Sequence, residues 1–304
     1  MDISEYEKDN TKNCLLKSSV PCLTKNEPCW LGIDEAGRGP VLGPMVYGIC
    51  YSPISRKEEF TKNSFADSKT LTEEQREQLM EKINECSEWI GWMTDILSPA
   101  FISNAMLRRS KYNLNWISHD SAIGLVKAAL QDGVQVEEVY VDTVGDPSKY
   151  QQKLQENLPG LKITVAKKAD SLYPIVSAAS ICAKVCRDKA VKGWKFPETL
   201  DVDDIDNVSI GSGYPGDPQT VKFLSNPDPV FAFPQFVRFS WSTASKIIVK
   251  KCVAVSWEDD EDVEDQVSTP SVLSYFQRTA NLSSQHHKPH KYFRERHLSP
   301  LTDI

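Results

Sequence analysis

Ile33-Asp34-Glu35-Ala36-Gly37-Arg38-Gly39-Pro40 decides how this chain reads. The apolar run before it, Trp30-Leu31-Gly32-Ile33, is the end of a buried strand. That strand delivers two adjacent carboxylates into a Gly-Arg-Gly-Pro turn. Successive side chains on a strand point to opposite faces, so Asp34 and Glu35 share a site only if the strand ends there and the chain bends. Glycines open backbone angles closed to other residues and let the turn's amides approach a ligand. Two carboxylates beside such a turn suit a hard divalent cation such as magnesium. On this stretch alone a solvated loop at a strand end is the alternative.

Working outward, Met45 to Tyr51 is apolar and β-prone and follows the turn closely, which predicts a hairpin. Thr72 with Gln75 forms a capping box opening a helix to about Asn84. Glu88–Thr94 is a third strand. Helical spacing covers Pro99 to Leu107 and Leu114 to Leu130. Glu138–Asp142 is a fourth strand ending in a carboxylate, and Lys149 to Glu156 is helical. Lys162–Val165 is a fifth strand, followed by Asp170. A long helix then opens at Pro174, a residue suited to a first helical position, and runs to about Val191. Ala178, Ala179, Ser180 and Ala183 fit it for close packing on a sheet. A meander followed by strand–helix alternation predicts an α/β fold, a mixed five-stranded sheet flanked by helices. Beyond Lys195 come a turn cluster around Tyr214, an aromatic stretch from Phe231 to Phe239 and a helix near Ser242 to Cys252. Residues 1 to 27 read as a lead-in arm.

Three carboxylate stations stand at or just past predicted strand ends: Asp34 with Glu35, Asp142, and Asp170. Four converging carboxylates without a cation would repel one another. With no matching histidine or cysteine cluster, magnesium or manganese fits better than zinc. Acid-only sites holding two such ions favour phosphoryl transfer.

The chain has 304 residues, 40% of them hydrophobic and 25% charged, as in ordinary globular proteins. No apolar run is long enough to span a membrane. The N-terminus lacks a signal-peptide pattern, which predicts a cytosolic or nuclear protein with its eight cysteines reduced. Cys182 and Cys186 share a helix and read as core. The net charge of −7 is unevenly spread: residues 258–265 hold seven acids, and setting them aside leaves 35 acids against 35 basic residues. That run reads as a solvated linker, so net charge does not decide for or against a nucleic-acid partner.

Several blocks resemble one family: DEAGRGPVLGPMVYGICY from Asp34, ADSKTLTEEQR from Ala66, VDTVGDP from Val141, KADSLYPIVSAASICAKVCRD from Lys168, GSGYPGDP from Gly211 and FPQFVRFSW from Phe233. The chain is similar to the catalytic subunits of eukaryotic type 2 ribonucleases H over about residues 28 to 251. That resemblance implies a ribonuclease H-like core with a helical C-terminal extension, a catalytic domain at 28–251 and an acidic linker with a partner-binding tail at 252–304. It also implies metal-dependent cleavage of RNA in RNA–DNA hybrids and incision 5′ to single ribonucleotides in duplex DNA, as in ribonucleotide repair and removal of primer RNA. The products would carry 5′-phosphate and 3′-hydroxyl ends. The family's metal ligands fall on Asp34, Glu35, Asp142 and Asp170, holding two Mg²⁺ or Mn²⁺ ions. Its substrate-reading turn falls on Gly37, Arg38 and Gly39, and its substrate-sensing tyrosine on Tyr214. Members act in a heterotrimer with two non-catalytic subunits, B and C. Of the two compartments, the nucleus is the expected one, with the cytoplasm as a second location.

A 2′-hydroxyl is what distinguishes RNA from DNA, and the glycine turn beside the metals is placed to meet it. Tyr214, among three glycines and two prolines, has a ring available to stack on a sugar; a surface turn tyrosine is its alternative. Lys69 is a candidate phosphate contact or a solvated lysine. Arg187 and Asp188 read as structural ion pairs. Thr269 to Phe276 resembles a sliding-clamp-binding peptide without its glutamine, and packing on a partner protein or on this chain is the simpler reading. His286, His287 and His290 read as incidental, and the basic residues near them as a solvated face. Two rival functions are a catalytically dead hybrid-binding scaffold and a DNA-cutting phosphotransferase on the same fold. All four acids being present argues against the first, and the turn with Tyr214 argues against the second.

Overall fold

The computed structural model describes residues 1–62, 71–110, 112–196, 210–228 and 230–254. Lys69, the acidic run and the tail, with its clamp-like peptide and histidines, lie outside the described residues. In chain order the elements are α1 (Ser4–Lys8), β1 (Cys14–Lys17), α2 (Cys22–Asn26), β2 (Cys29–Ala36), β3 (Met45–Pro53), α3 (Lys57–Lys62), α4 (Glu73–Glu85), β4 (Gly91–Leu97), α5 (Pro99–Leu107) and α6 (Leu114–Gln131). There follow β5 (Val136–Asp142), α7 (Pro147–Asn157), β6 (Lys162–Ala166), α8 (Ala169–Leu172), α9 (Pro174–Lys192), α10 (Pro218–Leu224) and α11 (Ser242–Lys251). Met1–Val253 form one unit.

The sheet order is β1-β4-β3-β2-β5-β6. β2, β3 and β4 pair antiparallel as the predicted meander, and β2, β5 and β6 run parallel. The sheet therefore has one strand more than expected. The lead-in arm supplies it, with Cys14–Lys17 pairing along the outer edge of β4. Asn10 also ties the arm to the loop after α9, donating to the Lys195 carbonyl at 2.8 Å.

Helices cover both faces, so β3 is buried along its whole length. On one face the long helix α9 meets Trp30, Val46 and Cys50; on the other, α6 and α7 meet Leu31, Ile33, Tyr47 and Ile49. The small residues of α9 do what their sizes suggest. A methyl group added at Gly32 would lie 2.3 Å from the Ile175 carbonyl oxygen, and one at Gly48 would lie 2.7 Å from that of Ala179. Helix backbone rests directly on strand backbone there, and alanine at Gly48 would overpack the core at a cost of about 1–3 kcal/mol.

Local signals hold where the chemistry is local. Thr72 and Gln75 cap α4 reciprocally. Proline opens α5, α7 and α9. The third predicted strand is displaced, running from Gly91 to Leu97, because Ser87 to Trp89 close α4 with turn hydrogen bonds. Cys182 and Cys186 are fully buried, as expected of core thiols, and all eight cysteines are free. Among the described residues no helix is long and apolar enough to cross a membrane.

Candidate active site

β2, β5 and β6 end at the same rim of the sheet, where ligands bind in open α/β folds. The register pairs Ile33 with Val141, so Asp34 and Asp142 follow side by side on neighbouring parallel strands. Asp142 is opposite Ala166, and four residues later the short helix α8 presents Asp170. The corner between them is tight: Lys168 takes a left-handed backbone, φ 56°, and the Ala169 amide donates to Asp142 Oδ1 at 2.9 Å. That bond fixes the Asp142 carboxylate against the element carrying Asp170. Asp34 is 6% exposed and Asp170 3%.

β2 does not stop at Asp34 as expected. It stays paired with β3 as far as Ala36, with Asp34 opposite Gly48 and Glu35 opposite Tyr47. Ladder bonds outlast the change of residue type, so the alternation of the strand persists. Asp34 then lies on the α9 face with Asp142, whereas Glu35 lies on the face of α6 and α7 and meets the other acids at the rim.

The carboxyls act on one another electrostatically. Burial, opposed by a hydrogen bond from Ser180 and reinforced by Asp142 and Asp170, raises the Asp34 carboxyl from its ordinary 3.8 to about 7. Burial, then Asp34 and Asp142, holds Glu35 well above its usual range, with Arg38 opposing. Glu35 Oε2 is buried with no hydrogen-bond partner. An oxygen-only set of mutually repelling carboxylates fits a hard divalent cation. Among the described residues no three acid, histidine or cysteine side chains are already gathered closely enough to hold a metal ion. Asp34, Asp142 and Asp170 on one face, with Glu35 at the rim, are the side chains that would hold it.

The turn lies against this rim. Gly37 has φ +76°, which glycine alone adopts at little cost, and a methyl group there would collide with the Arg187 side chain at 2.1 Å. Tyr214 reaches the same turn from 175 residues away in sequence, its ring so close to Gly39 that a methyl there would lie 3.0 Å from Cε1. The Tyr214 loop is pinned to the segment after the turn, with the Val41 amide donating to the Gly213 carbonyl at 2.8 Å. The ring itself is 52% exposed. Arg38 extends the other way and donates to Asn115 at the start of α6.

Of three residues that hold the turn, Arg238 and Trp241 carried no role in the sequence reading and Arg187 carried a different one. Arg238, wholly buried, donates through Nη2 to the Gly37 carbonyl at 2.6 Å, through Nη1 to that of Arg38 at 3.2 Å and through Nε to that of Gly43 at 2.8 Å. Burial and then the neighbouring Arg187 pull its pKa down to about 9, which leaves it cationic at neutral pH. Trp241 stacks under its guanidinium, 4.8 Å away, and donates to the Gly39 carbonyl at 3.1 Å. Arg187 fills the space Gly37 leaves. Of the structural ion pairs expected of Arg187 and Asp188, the one at Asp188 forms, with Arg76 at 2.7 Å. Of the aromatic stretch from Phe231 to Phe239, Phe233 and Phe236 are buried and Phe231 is broadly exposed.

Residues 31–244 match the model of the ribonuclease HII family. The chain is similar over its full length to the A-type subunits of ribonuclease H2 from Mus musculus, at 53% identity, and Homo sapiens, at 52%, covering all of each relative. Among solved structures, the ribonuclease H2 of Pyrococcus horikoshii superposes with a TM-score of 0.60 at 30% identity, over 73% of this chain and 98% of that one. Ribonuclease HII of Archaeoglobus fulgidus, solved in complex with PCNA, gives 0.56 at 28%, over 76% and 98%. With the acids at one rim, a glycine turn beside them and relatives matching from end to end, the chain belongs to the ribonuclease HII family and is a ribonuclease H hydrolase.

Proposed function

We propose that the chain cleaves RNA within RNA–DNA hybrids and incises 5′ to single ribonucleotides in duplex DNA, using two Mg²⁺ or Mn²⁺ ions held by Asp34, Glu35, Asp142 and Asp170. The observation that carries this reading is the placement of Gly37–Gly39 and the exposed Tyr214 ring against the same rim as the acids. A nuclease indifferent to sugar type needs neither. When bound, such cations would supply Lewis acidity for activating the attacking water and stabilising the leaving 3′ oxygen. The rest falls to the chain. The turn offers backbone groups to a 2′-hydroxyl, Arg238 and Trp241 keep its carbonyls in place, and Tyr214 lies where the neighbouring sugar would pass. The test is cleavage of a duplex holding one embedded ribonucleotide, with and without magnesium: cuts 5′ to the ribonucleotide that need the metal support the reading, and an uncut duplex overturns it.

Deoxyribose lets a ring lie flat where ribose presents a hydroxyl. Stacking in nucleic-acid sites is worth about 1–3 kcal/mol, or roughly ten- to a hundredfold in rate. Tyr214→Ala is therefore expected to lose that much on a single embedded ribonucleotide and far less on a long hybrid. Equal losses in side-by-side assays would make Tyr214 a general support for the turn.

We also infer work with two non-catalytic subunits, supported by the relatives' designation as one lettered component of ribonuclease H2 and by the exposed Val230, Phe231, Val249 and Val253 on the C-terminal extension; the nucleus is proposed as the place of that work. The purified chain should be poorly active and gain activity on adding both other components; a monomer as active as any complex would exclude this.

A further inference from the structure

Glu35 faces a second set of groups that the proposed reaction does not use. Residues directly opposite in an antiparallel pair share a face, so Tyr47 stands beside Glu35. Tyr150 of α7 and Ser118 of α6 close the same space, and all three are buried to 1% exposure or less. The Tyr47, Tyr150 and Ser118 hydroxyls have no hydrogen-bond partner, and neither has Glu35 Oε2. Glu35 is an electrostatic neighbour of both tyrosines, and Ser118 lies near the Tyr47 hydroxyl without a well-formed bond. Behind Tyr150 the His119 ring stacks in parallel at 4.0 Å and holds the phenol in place.

Three hydroxyls and a carboxylate oxygen with no direct bonds among them would make an expensive cluster. Buried polar groups in such a setting are satisfied by a shared water making two to four hydrogen bonds. The geometry points to one buried water that accepts from the Tyr47 and Tyr150 hydroxyls and donates to Ser118 Oγ and Glu35 Oε2. We propose that Tyr47 and Tyr150 thereby act as positioning residues, fixing the inner oxygen of Glu35 so that the rest of the carboxylate is presented to the metal site. The proposal rests on the metal-binding reading above. It gives Glu35, which approaches from the opposite face to the other acids, the outer support that metal ligands need.

The test is manganese binding, read as loss of the free Mn²⁺ electron paramagnetic resonance signal, in the wild-type chain and in Tyr47→Phe, Tyr150→Phe and the double variant. Phenylalanine keeps the ring and removes only the hydroxyl. Each single variant should bind Mn²⁺ about tenfold more weakly. The double variant should lose little more than the worse single one, because both hydroxyls serve one water. Tyr6→Phe, which removes another buried unpartnered hydroxyl from the opposite side of the sheet, should bind as wild type does. Unchanged affinity in both single variants, or losses that multiply in the double, overturns the proposal. A wild-type chain that binds no Mn²⁺ would instead remove the metal site itself.

Discussion

Asp34→Asn abolishes cleavage of an RNA–DNA hybrid and, at the same time, makes the metal-free chain more heat-stable at pH 7. The first effect follows from replacing a carboxylate by an amide, a far poorer ligand for a hard cation. The second follows from linkage. The Asp34 carboxyl titrates near 3.8 when unfolded and about 7 when folded. Between those values the folded chain holds a proton the unfolded chain has released, so stability falls as pH rises from about 4 to 7. Asparagine has no charge to bury. The gain at pH 7 is at most about 4 kcal/mol, seen as roughly 5–10 °C in Tm, and it should shrink toward pH 4. Magnesium should narrow it too, by stabilising only the wild type. Paired melting curves across pH, beside a hybrid-cleavage assay, check both halves; a fully active variant, or one that melts lower than wild type at pH 7, contradicts the assignment.

Arg238→Ala should be nearly as damaging to activity, by a different route, and should weaken the fold where Asp34→Asn strengthens it. Three backbone carbonyls, of Gly37, Arg38 and Gly43, lose a charged donor in a place water does not reach. Each buried group left unmatched costs about 1–3 kcal/mol, so destabilisation of about 3–5 kcal/mol and a fall of roughly 10 °C in Tm are expected. The turn then drifts relative to the acids, and misplacement of about 1 Å costs on the order of a hundredfold in rate. Lysine keeps the charge but lacks the planar fork that reaches three carbonyls, so Arg238→Lys should recover little. Activity within threefold of wild type in the alanine variant would show that the turn stands without the clamp.

These two positions mark what the chain reveals before folding and what it does not. The acids are legible because Asp34 and Asp142 sit where an apolar run stops and Asp170 follows one by four residues, and strand ends are a local property. Helix starts are legible for the same reason, as Thr72 with Gln75 and Pro174 show. Cys14–Lys17 is not, because four residues with one buried side chain become a strand only when the open edge of β4 is there to pair with. Glu35's face could not be read either, since it depends on how far the β3 ladder holds. Arg238 stands in a conspicuous aromatic block, yet nothing local says that its partners are main-chain carbonyls some two hundred positions earlier.

That separation orders events during synthesis. The Gly37 carbonyl waits 201 residues for its donor, whereas all four acids have been made by residue 170. A nascent chain therefore has all its acids well before the Gly37–Gly39 turn is braced. A product that ends after α9 but before Arg238 would carry all four acids and lack the donor that holds the Gly37–Gly39 turn.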